Sequence, residues 1–100
     1  DVTKVLVNLD GVSLKDSDGE GKVIDATMRL IIVNALLAPK ENEKGTEKIA
    51  KYELALKVHR ENSVDLSAEE ISMIKARVGE LYAPIVVGQV YRILEGKEAV

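Results

Sequence analysis

The chain has no cysteine, no phenylalanine and no tryptophan, only two prolines and a single histidine. Without cysteine there is no intrachain disulfide, zinc–thiolate site, iron–sulfur cluster or cysteine nucleophile. With Tyr52, Tyr82 and Tyr91 as the only aromatic residues, the core has to be aliphatic. No long apolar run is present either. Leu30–Val33 and Ala35–Pro39 are divided by Asn34, and even joined they fall far short of a membrane span. No segment reads as a signal peptide. A strong charge of one sign is missing too. The net charge is −3, with acidic and basic residues interspersed, which argues against sequence-independent nucleic-acid binding.

What is present suits one globular domain: 100 residues, 46% of them apolar. Residues 2–9, VTKVLVNL, read as a strand with Val5, Val7 and Leu9 on one face. Two turns compete after it. Asp10-Gly11 would pair residues 12–14 directly back onto 5–9. The wider loop 15–22 would carry the first strand to Leu14 and bring it back at 22–24, and this is the preferred reading.

Asp25 is then placed to cap a helix over 26–38, apolar on almost every face, which Pro39 stops. A second helix is expected over 46–61, with Ile49, Tyr52 and Leu56 as its buried stripe beside Ala55. Leu54 and Val58 widen the stripe, and Glu47–Lys51 and Glu53–Lys57 pair outside it. In LSAEEI (66–71), Ser67 and Glu70 have the spacing of a capping box, stapled by Leu66 and Ile71. The helix that follows, over 67–82, repeats Ile71, Ile74, Val78 and Leu81. Pro84 opens a last helix over 84–95, with Val86, Val90, Ile93 and Leu94 as its stripe and Gly96 as its stop. The predicted class is α+β: an N-terminal β-hairpin over 2–24 and four helices.

Few residues suggest chemistry. Asp16, Asp18, Glu20 and Gly21 match the front half of a calcium loop, yet the position that needs a bidentate carboxylate is Thr27. A polar turn is the better reading, with no metal, no cofactor and no catalytic residue expected. His59 reads as a surface residue at the end of a charged helix. The excess of aliphatic helix surface is more informative. Leu30, Ile31, Val33, Leu37, Val86, Val90, Ile93 and Leu94 are the candidates for a subunit interface. Gly79 and Gly88, inside helical patterns, mark places where helices could approach closely.

The motifs LSAEE, IK..VG.LY.P.VVGQ and the closing LEG, together with ALL.P at 35–39 and YELA.K.H at 52–59, resemble small uncharacterised proteins of tailed bacteriophages and prophages. The resemblance implies a phage origin and a cytoplasmic site of action in a bacterial host. It transfers no functional residue. The reading is a non-enzymatic accessory protein acting through protein–protein interaction as a homo-oligomer, partnered by itself and by phage or host proteins. The alternative is a small nucleic-acid-associated regulator.

Overall fold

In the computed structural model, which describes residues 2–17 and 21–96, the Asp10-Gly11 turn forms and a second antiparallel pairing follows it. At the turn, the Asn8 N–H donates to Val12 O at 2.8 Å and Val7 bridges to Ser13. Gly11 supplies the left-handed corner, at φ 80°. β1 (Lys15–Ser17) pairs with β2 (Val23–Asp25), antiparallel, with Lys15 opposite Asp25 and Ser17 opposite Val23, so the pairing runs into the expected loop 15–22 and does not stop at Leu14.

The two hairpins meet in a closed ring of main-chain bonds. Leu6 N donates to Ala26 O, Ala26 N to Leu14 O and Leu14 N to Leu6 O, each at 2.8 Å. Three extended segments therefore converge on one point, and every polar group there is satisfied. The ring decides which face of the first segment points inward. Leu6 is fully buried, whereas Val5 is half-buried, Val7 is on the surface and Leu9 is 93% exposed. The expected grouping of Val5, Val7 and Leu9 is thus corrected by one residue, since shifting a strand by one turns every side chain over.

Helix α1 (Met28–Leu37) starts behind Thr27, whose Oγ1 accepts from Leu30 N at 3.1 Å. Asp25, expected as the cap, is held in β2 and pairs with Lys15 instead. The other helices are α2 (Gly45–Arg60), α3 (Ala68–Leu81) and α4 (Pro84–Leu94). α1 packs against both α2 and α3, and α4 packs on α3. That central place explains why α1 carries apolar residues all round: Met28, Ile31, Ile32, Ala35 and Leu36 are all buried.

Two arginines close helix ends on neighbouring elements. Arg29, on α1, donates to Val58 O at 3.3 Å and Glu61 O at 2.8 Å, at the end of α2. Arg77, on α3 and only 3% exposed, donates to Ala35 O at 3.2 Å and Ala38 O at 3.0 Å, at the end of α1. Each guanidinium satisfies carbonyls left without helical partners and lies at the negative end of a helix dipole.

α2 is rotated from its expected setting. Its buried residues are Lys51, Leu54, Ala55 and Val58, while Ile49 and Tyr52 face solvent and Leu56 is half-buried. Lys51 enters because Glu43, in the preceding loop, neutralises it, and Lys57 pairs with Glu70 at 3.1 Å. The expected Glu47–Lys51 and Glu53–Lys57 pairs are replaced by these longer-range ones. At the start of α3, Ser67 Oγ accepts from Glu70 N at 3.1 Å and Glu70 Oε1 accepts from Ser67 N at 2.8 Å, completing a capping box. Ile74 and Val78 are buried, but Leu81 at the far end turns outward.

α4 begins on Pro84 and is followed by Gly96 at φ 73°. Gly79 lets α4 come close, since a β-carbon there would lie 3.1 Å from the Tyr91 hydroxyl. Gly88 serves no such purpose, with nothing within 4 Å of the same position.

Candidate interaction surface

Nine residues from the end of α1, the loop after it and the first half of α2 line a groove of about 310 Å³. Leu36, Leu37, Ala38 and Pro39 make one wall, Tyr52 the other, and Lys48 stands at the rim. Leu37 and Tyr52 are each 54% exposed and Ile49, one turn before Tyr52, is 63% exposed. Large apolar side chains grouped in this way are unusual on a surface that has nothing to bind.

The floor of the groove is polar and internally neutral. Lys51 and Glu43 form a nearly enclosed ion pair there. The hydrogen bond from Lys51 holds the Glu43 carboxyl below the usual carboxylate range, with further help from the charges of Lys51, Arg77 and Lys40. Lys40 itself reaches Glu80 at 3.4 Å. The pair adds no net charge to the groove.

A larger cleft of about 570 Å³ runs between α2 and α3, lined by Leu54, Leu56 and Met73 and by Glu53, Lys57, Arg60, Glu61 and Glu70. Its charges are of both signs, and none of the strongly exposed apolar residues borders it. The apolar attraction lies on the other side of α2.

The sequence-predicted interface residues divide into three groups. Ile31 and Val90 are 1% and 0% exposed, so in the folded chain they are core and not interface. Leu30, Val33, Val86, Ile93 and Leu94 are half-buried, and all but Leu30 pack against the core. Leu37 alone is open to solvent. The surplus of oily surface sits less on α1 and α4 than on α2, where Ile49 and Tyr52 had been assigned to the interior. A signal existed in the sequence: Lys51 shares a face with Leu54, Ala55 and Val58, and Glu43 lies within reach to neutralise it.

Asp16, the first residue of the calcium-like stretch, is occupied by protein partners. Its Oδ1 accepts from Ser17 N at 2.8 Å and its Oδ2 from the Tyr82 hydroxyl at 3.0 Å. Asp18 and Glu20 lie outside the described residues. Among those described, no cluster of three acidic or histidine side chains is placed to hold a metal. His59 is exposed in the last turn of α2, beside Arg60. No helix among the described residues is long and apolar enough to cross a membrane.

No protein-family model, curated protein or solved structure matches this chain.

Proposed function

We propose that this is a non-enzymatic accessory protein, encoded by a phage or prophage, that works in the bacterial cytoplasm through protein–protein contact as a homo-oligomer. The observation that carries the reading is the exposure of Leu37, Ile49 and Tyr52, each more than half open to solvent, with Leu37 and Tyr52 lining one groove between α1 and α2. Burying such side chains against a partner is the main favourable term in association. Tyrosine is among the residues enriched at the centres of interfaces. The phage setting rests on the resemblance of residues 35–39, 52–59 and 64–96 alone.

The nucleic-acid alternative has less to support it. Lys15, Lys40, Lys51, Lys57 and Lys75 are each engaged with a carboxylate, which weakens their pull on a phosphate backbone.

Sedimentation velocity over about 1–100 µM tests the reading, a range in which modest interfaces assemble. Association that grows with concentration, and that weakens at least tenfold in Tyr52→Glu or Ile49→Glu, is the expected result. Both positions are exposed, so thermal melts of the variants should stay close to the native one. A strict monomer throughout the range overturns the proposal.

A further inference from the structure

A second exposed apolar feature stands elsewhere on the molecule, and it complements the groove. Leu9 is 93% exposed and Val12 60% exposed, at the tip of the first hairpin. The backbone around it is tied by hydrogen bonds. Asn8 Oδ1 accepts from Asp10 N at 2.8 Å and from Val12 N at 3.0 Å, and Gly11 N donates to Asn8 O at 3.0 Å. Beneath the tip, Gln89 of α4 grips the main chain of Val7. The result is a hydrogen-bonded knob that exposes Leu9, with Asp10, also exposed, next to it in the chain. A backbone already tied in this way has less left to order on docking.

The groove is the counterpart in apolar character and charge. Its walls are Leu36, Leu37, Ala38, Pro39 and Tyr52, and Lys48 stands at the rim. Among the described residues neither Asp10 nor Lys48 has an ion-pair partner. Knob and groove are built on different elements: the tip is held by α4, the groove by α1 and α2. One chain therefore offers two unlike surfaces, each suited to the other on a second copy.

We infer that copies of this chain join head to tail, with the Leu9–Asp10 knob of one seated in the α1–α2 groove of the next and Asp10 facing Lys48. This rests on the homo-oligomer reading above and specifies its symmetry. Such an interface is heterologous: it closes into a ring if the rotation between copies allows, and otherwise grows as a filament.

A mixing experiment tests it. Leu9→Asp removes the knob and leaves the groove, while Tyr52→Glu removes the groove and leaves the knob. Each variant alone should sediment as a monomer at a concentration where the native chain associates. An equimolar mixture should form a dimer and nothing larger, because only one productive junction remains. If the mixture stays monomeric, or if either variant alone associates like the native chain, the head-to-tail arrangement is overturned. Loss of native association by Tyr52→Glu with no effect of Leu9→Asp would leave the oligomer reading standing as a symmetric contact through α2. A native chain that never associates removes both.

Discussion

The side-chain amide of Gln89 pairs with both main-chain groups of Val7, accepting from its N–H at 3.0 Å and donating to its C=O at 2.7 Å. One side chain of α4 thereby does what a neighbouring strand would do. It closes part of an edge that would otherwise be open to pairing with another chain. Gln89→Ala should lower stability by about 0.5–1.5 kcal/mol, the net worth of hydrogen bonds at a site water can reach. Urea unfolding measures that loss, and amide exchange should show Val7 losing protection before the rest of the chain. Gln89→Glu should be worse than its size suggests, because a carboxylate would face the Val7 carbonyl. Unchanged exchange at Val7 in both variants would refute the pairing.

The two helical glycines should respond differently to alanine. At Gly88 a new β-carbon meets nothing within 4 Å, so Gly88→Ala should stabilise by about 0.5–1 kcal/mol, the ordinary helix preference. At Gly79 the same atom would lie 3.1 Å from the Tyr91 hydroxyl, which donates to Lys75 O at 2.8 Å. Part or all of the gain should be lost as Tyr91 shifts. Melting temperatures should rank Gly88→Ala above Gly79→Ala, and the opposite order would count against this packing of α3 on α4.

Stability should fall at both ends of the pH scale, for different residues. The Ser67 N–H, and then Lys57, hold the Glu70 carboxyl below the usual carboxylate range. A depressed folded value means the contribution is present above the unfolded pKa of about 4.3 and is lost as pH falls through the folded one. Glu70→Gln should therefore flatten the acid limb of stability against pH. Tyr82 is shifted the other way: burial, and then the hydrogen bond to Asp16, raise its pKa well above the ordinary value. Its contribution is complete below about pH 10 and is lost above that. Tyr82→Phe should cost about 1 kcal/mol near neutrality and show a shallower alkaline decline. Chemical unfolding over a pH series measures both limbs, and a Tyr82→Phe alkaline limb as steep as the native one would contradict the assignment.

Where a rule acts within a few residues, the sequence was readable. Ser67 with Glu70, Pro84 at a first helical position and Gly96 as a stop each depend on neighbours in the chain, and each appears as expected. What failed was set by distant partners. The inward turn of Leu6 depends on main-chain bonds to residues 14 and 26. Thr27 replaces Asp25 as a cap because β1 has already engaged Asp25. On α2, Ile49 and Tyr52 are the greasier residues, yet Lys51 takes the interior because a loop carboxylate and the end of α1 receive it there. The groove was hidden for the same reason: Leu37 could be named from its helix, but its companions across the groove could not.

The ring through Leu6, Leu14 and Ala26 is made wholly of peptide groups, so no particular side chain is needed to write it. Divergent descendants could rebuild all three positions, within the space allowed, and keep the same junction. Only proline is barred outright, since each position must offer its N–H. Kinship to this chain can therefore survive in backbone geometry long after it has faded from any comparison of letters.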